Sequence, residues 1–144
     1  MSPVTHALVG AVLGKFLDRP GVTFLTGATS HTLLDYLPHN DSQHPLVLFG
    51  NGCGVFAVLA AACVTGDKGM LAGALGGVLP DLEHIREGTP PAGTTIFPGH
   101  HFLHEGRYPA ALGIGVEVVL AATSLLALFL AGTSDRRRMA RDPA

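Results

Sequence analysis

A chain of 144 residues, 47% hydrophobic and only 14% charged, has room for one domain. It departs from soluble composition, in which about 25% of residues are charged. A formal charge of −2, with no basic groove and no interleaved aromatic pattern, gives no footing for a nucleic-acid partner.

Nineteen glycines and no tryptophan fit helices in lipid, where glycine is commoner than in soluble helices. In chain order, "MSPVTHALVGAVLGKF" lacks a basic leader region and carries His6 near its start, so it is expected to belong to the mature protein. Residues 4–17 and 21–38 are short apolar segments that carry His6, His31 and Asp35. Residues 45–65 contain no charge and are long enough to cross a hydrocarbon core about 30 Å thick. Cys53 and Cys63, ten apart in that run, are too far apart along a helix for a disulfide and are expected as core thiols. Residues 69–82 form a third short segment, and residues 109–131 a second long one whose single charge is Glu117. Period-two alternation is nowhere sustained, which argues against a barrel. The fold expected is all-α, an integral membrane bundle of about five short helices. Segments 4–17, 21–38 and 69–82 are each short enough to be re-entrant or buried rather than spanning. Residues 1–134 form the helical membrane domain and 135–144, "DRRRMARDPA", a basic cytoplasmic tail.

With five spans, Lys15, Arg19, Lys68, Arg136, Arg137, Arg138 and Arg141 fall on one side, and only Arg86 and Arg107 on the other. The positive-inside bias then predicts a cytoplasmic C-terminus and an outer N-terminus. In that topology all eight histidines gather at the outer face. His39 and His44, in the turn-rich "PHNDSQHP", are weaker candidates than the others and are expected to be solvated. A partial repeat at an offset of 46 matches Gly27, Ala28, Leu33 and Asp35 to Gly73, Ala74, Leu79 and Asp81. Three stripes of i, i+4 spacing join glycine to polar residues: His6, Gly10 and Gly14; Gly27, His31 and Asp35; Gly73, Gly77 and Asp81. Small residues at this spacing let helices approach closely in lipid, so the polar groups are expected to point into the bundle.

"HTLLD" sets His31 and Asp35 a turn apart, "PDLEH" sets Asp81 and His84 three apart, and "HHFLH" offers His100, His101 and His104. Imidazole with carboxylate suits zinc, manganese or iron, and a catalytic site keeps a coordination position open for water. Glu117, about two turns into its helix, reads equally as a packing carboxyl, an acceptor for a ligand histidine or a general base. Arg86 and Arg107 suit headgroup capping better than binding a phosphate or carboxylate substrate, and "REGTPPAGTTIFPG" (86–99) reads as an ordered or mobile lid without chemistry of its own. No glycine-rich phosphate loop, Gly-x-Ser-x-Gly or Cys-x-x-Cys is present.

The stretches "PVTHALVGAVLG", "SHTLLDYLPH" and "GALGGVLPDLEH" resemble motifs of a small bacterial family of inner-membrane, metal-dependent hydrolases, LexA-regulated in some members. The resemblance covers residues 3–14, 30–39 and 73–84. It implies the bacterial inner membrane and a metal set of His6, His31, Asp35, Asp81 and His84.

The function expected is hydrolysis of a lipid-like or headgroup ester at the outer membrane face. One or two divalent ions, zinc foremost, would be held by His6, His31, Asp35, Asp81 and His84 with His100, His101 or His104. Glu117 or Glu105 would accept the proton of the bound water. The partners expected are membrane lipids, with a membrane-protein partner or a second copy also open. Two alternatives stand beside this: an accessory subunit of a larger membrane complex, and a haem-binding electron-transfer subunit with two axial histidines.

Overall fold

A computed structural model of the chain describes residues 1–17, 19–39, 44–82 and 108–141, the last seven as backbone. Among them are five α-helices: α1 (Pro3–Phe16), α2 (Pro20–Asp35), α3 (Pro45–Thr65), α4 (Lys68–Val78) and α5 (Ala110–Arg141). A short 3-10 turn, Leu79–Asp81, extends α4. There is no strand among the described residues.

The helix ends follow from local chemistry. Proline stands in the first turn of α1, α2 and α3, where its missing N–H breaks no hydrogen bond. The 21–38 segment stops as a helix at Asp35, because Pro38 disfavours helical backbone at the residue before it. Gly66, the one described residue at positive φ (68°), ends α3 in the left-handed conformation. Pro80 has no N–H to continue the α4 ladder, so the chain tightens into the 3-10 turn that carries Asp81. α5 runs unbroken through Ser134 to Arg141, so the basic segment begins as a continuation of the helix.

α4 lies between α1 and α2, and the three touch backbone to backbone. α1 runs antiparallel to α4, with Gly10 against Gly73, Gly14 against Gly69 and the His6 carbonyl against Gly77. α2 runs alongside α4 in the same direction, with Gly27 against Gly73 and Gly77, and Gly76 against the Phe24 carbonyl. A Cβ at any of these glycines would fall on a neighbouring carbonyl oxygen. The three stripes read from the sequence are therefore the packing faces, and the helices with matching residues at an offset of 46 are neighbours. α3 and α5 pack on the outside, where Val58, Ala62, Ala121 and Leu128 meet Ala7, Leu8, Ala11, Met70 and Ala74.

The polarity of this bundle is the reverse of a soluble one. Its largest fully buried side chains are His6, His31, Thr5, Thr23 and Pro80, while Phe49, Phe56, Val64 and Phe129 are each at least 67% exposed. α3 and α5 are long and apolar enough to cross a membrane. Cys53 and Cys63, expected in the core, are instead exposed. α3 buries the face of Val58 and Ala62, and each cysteine lies five residues from Val58, most of half a turn around the helix. Cys53→Ala and Cys63→Ala should each shift stability by less than about 0.5 kcal/mol in chemical or thermal unfolding, as for surface positions.

At the end of α1 away from His6, Asp67 does two things at once. Its Oδ1 accepts from the Met70 N–H at 2.8 Å, capping α4, and its Oδ2 accepts from Lys15 Nζ at 2.8 Å. Burial alone would raise this carboxyl's pKa; the bonds from Lys15 and the backbone outweigh it and hold it below the ordinary carboxylate range. A folded-state pKa below the unfolded value gives stability that is complete above the unfolded value, near 4, and is lost as pH falls through the folded one. Asp67→Asn keeps the cap and loses the pair. Its deficit against wild type should be constant above about pH 5 and should shrink on acidification. Asp67→Ala should cost about 1 kcal/mol more by losing the cap.

Candidate metal centre

Two helix ends and one turn make the site. The first turns of α1 carry His6, the last turn of α2 carries His31 and Asp35, and the 3-10 turn after α4 carries Asp81. The antiparallel α1 and parallel α4 bring these ends together, and the glycine contacts set how closely.

His6, His31 and Asp35 are 0%, 1% and 3% exposed, so their polar atoms meet each other and not solvent. The imidazole rings stack with centroids 3.7 Å apart and planes 22° apart. Both turn Nε2 toward the same carboxylate: His6 to Asp35 Oδ1 at 3.1 Å and His31 to Asp35 Oδ2 at 3.1 Å. The Met1 amino group also donates to Oδ1, at 2.8 Å. Asp81 Oδ1 lies 3.9 Å from His31 Nε2. A carboxylate that gathers three nitrogen groups in a buried place is balanced only because each of them brings a proton or a positive charge.

The hydrogen bonds fix where those protons sit. His31 Nδ1 is 2.8 Å from the carbonyl oxygen of Gly77, which can only accept, so Nδ1 carries a proton. Nε2 of the same ring is thereby the nitrogen left to face Asp35 and Asp81, as an N–H or as a lone pair toward a cation. His6 donates from Nε2 to Asp35, and its Nδ1 is buried with no hydrogen-bond partner among the described residues. An unsatisfied buried acceptor of this kind costs about 1–3 kcal/mol.

This donor set fits a divalent metal. One ligand atom from each of His6, His31 and Asp35 lies within 4.8 Å of the other two, in a fully buried group. Zinc–nitrogen and zinc–oxygen bonds are about 2.0–2.2 Å, so gathering these atoms on one ion needs side-chain movements of about an ångström. A ligand histidine usually donates its second ring N–H to a carbonyl or carboxylate, and His31 makes that bond to Gly77.

Of the residues expected at the site, the structure therefore brings together His6, His31 and Asp35, with Asp81 beside them but outside the converging group. Glu117 is half-buried on the stripe of α5 that holds Gly113 and Ser124, and it is not a member of that group. His84, His100, His101, His104 and Glu105 lie outside the described residues. His44 is exposed and caps α3, its Nδ1 accepting from the Leu46 N–H at 3.3 Å, while His39 Nδ1 bonds the Leu37 carbonyl at 2.7 Å. Sequence reasoning missed the Met1 amine and the Gly77 carbonyl. The glycine stripe announced that α4 comes close, but a main-chain acceptor leaves no residue-type signal. Comparison with protein-family models, with curated proteins and with solved structures found no match to this chain.

Proposed function

We propose that this chain is an integral membrane protein that holds a divalent metal ion, zinc by preference, and hydrolyses a lipid-like or headgroup ester near the membrane surface. The observation that carries the reading is the convergence of His6, His31 and Asp35, buried and with ligand atoms within 4.8 Å. Ionisable groups inside an apolar bundle are costly and mark function more often than packing. The apolar exterior of α3 and α5 supports a lipid environment, since soluble monomers rarely expose contiguous apolar patches beyond a few hundred Å².

When bound, the metal supplies Lewis acidity and a water that ionises near neutral pH. Asp35 and the two imidazoles hold the charge in place, and Asp81, 13% exposed at its side chain, stands on the more open side of His31. The ester preference, the use of Glu117 or Glu105 as proton acceptor and a bacterial inner-membrane location rest on the motif resemblance and on residue type. A haem shared by His6 and His31 is disfavoured, because a porphyrin cannot enter between rings stacked at 3.7 Å. An accessory subunit is the competing reading, favoured by the same exposed apolar faces. Protein purified from alkali-washed membranes should hydrolyse a chromogenic phosphate or carboxylate ester when zinc is restored, and Asp35→Ala should not. Zinc-bound protein without turnover across both ester classes, co-purifying with a stoichiometric partner, would favour the subunit reading.

A further inference from the structure

Gly77, like Gly73 one turn before it, is a residue at which all three inner helices meet. A Cβ on it would fall on the His6 carbonyl oxygen of α1, with the His6 carbonyl carbon at 3.0 Å and the Ala7 nitrogen at 3.6 Å. A Cβ on Gly27 of α2 would lie 3.0 Å from the Gly77 nitrogen. The Gly77 carbonyl in turn accepts the His31 Nδ1–H at 2.8 Å in a buried position. The missing side chain thus lets α1 deliver His6, and the carbonyl holds the ring of His31.

We infer that Gly77 is the positioning residue of the site: its carbonyl fixes the proton on His31 Nδ1 and aims Nε2 at Asp35 and the metal, while its bare Cα sets the depth of His6. This rests on the metal reading of the preceding section. The hold on His31 is a property of the protein before any metal arrives, so the two can be tested apart. An imidazole has two ring nitrogens and several rotamers, and only Nε2 reaches Asp35 Oδ2 at 3.1 Å while Nδ1 reaches Gly77. Partners of this kind around a ligand histidine typically contribute 10–100-fold to metal affinity.

A control is built into the same helix pair. Gly69 faces Gly14 as Gly77 faces His6: a Cβ there would meet the Gly14 carbonyl oxygen, with the Leu17 oxygen at 3.1 Å. It lies eight residues away, about 12 Å along α4, and touches no site residue. Gly69→Ala and Gly77→Ala therefore disturb the α1–α4 contact alike, and only the second disturbs the ligands. The experiment is imidazole 15N–1H NMR of the full-length, metal-free protein in detergent, followed by zinc titration against a competing chelator. Wild type should give a His31 Nδ1–H signal protected from solvent exchange. Gly77→Ala keeps the main-chain carbonyl and so the signal, but its Cβ displaces His6 and zinc should bind about 10–100-fold more weakly, whereas Gly69→Ala should keep the signal and stay within about threefold of wild type. An unprotonated or freely exchanging Nδ1 in wild type would overturn the inference without recourse to any variant. So would an equal loss of zinc affinity in the two variants. A protected Nδ1–H in wild type that takes up no zinc would overturn the metal reading and leave the hold of Gly77 on His31 standing.

Discussion

Gly73→Ala is expected to destabilise the bundle by about 3 kcal/mol or more and to leave little folded protein. Its Cβ would fall on the Gly10 carbonyl oxygen, with the Gly10 carbonyl carbon at 2.8 Å and Thr23 Cγ2 at 3.1 Å. One added methyl in a tight core costs about 1–3 kcal/mol when side chains can adjust. Here the obstacle is helix backbone on one side and a fully buried threonine on the other, so whole helices must part. Gly73 also receives Gly10 and Gly27 against its own oxygen, and any parting loosens both contacts. The matched substitution is Gly52→Ala, on the exposed face of α3 with nothing within 4 Å. It should stabilise by about 0.5–1 kcal/mol, the ordinary gain of alanine over glycine inside a helix. Thermal unfolding of the two variants in one detergent reads the contrast. Equal stability would mean that the close approach of α1, α2 and α4 is wrong.

Asp35→Ala should be the most damaging change at the site. The carboxylate holds His6, His31 and the Met1 amine at 2.8–3.1 Å and is 3% exposed. Truncating one partner of a buried charged group costs about 3–5 kcal/mol, because the others are left in an apolar place without a counter-charge. Asp35→Asn should fall between Asp35→Ala and wild type, since the amide oxygen still accepts one bond while the charge is gone. Glu117→Gln, a change on α5 outside the converging group, should leave zinc retention as in wild type. Circular dichroism during thermal unfolding gives the order of stabilities. Asp35→Ala as stable as wild type would remove the carboxylate from the centre of the site.

How far these features were legible in the sequence depends on what encodes them. The two long helices were plain, because a span is a matter of length and uncharged composition: α3 begins and ends at Pro45 and Thr65 as read. The inner three were legible through small residues at i, i+4, since glycine stripes with histidine and aspartate have no other place to point in an apolar chain. Asp35 and His31 were legible for the same reason. α2 ends three residues short of the apolar segment's limit at 38, because Pro38 disfavours helical backbone at its predecessor. The cysteines were misplaced because free cysteine usually packs inside, and in a bundle with its large apolar residues outward that habit fails. The reach of the Gly77 carbonyl to His31 and the pairing of Lys15 with Asp67 are not legible, because the first depends on the register of α2 against α4 and the second on that of α1 against α4. Residues 46 and 52 positions apart in sequence leave no local trace of such a register. The "GD" before α4 carries a cap signal of its own, aspartate being a favoured N-cap.

The most direct measurement of the central claim is elemental analysis of the detergent-purified, full-length protein, beside a His31→Ala variant whose helicity is checked by circular dichroism. The account predicts at least one equivalent of zinc, or of manganese or iron, per chain in wild type, and its loss from a variant that is still helical. Wild-type protein that carries no metal, before and after reconstitution with each of the three ions, would contradict it. It would return His6, His31 and Asp35 to the role of a buried hydrogen-bonded core.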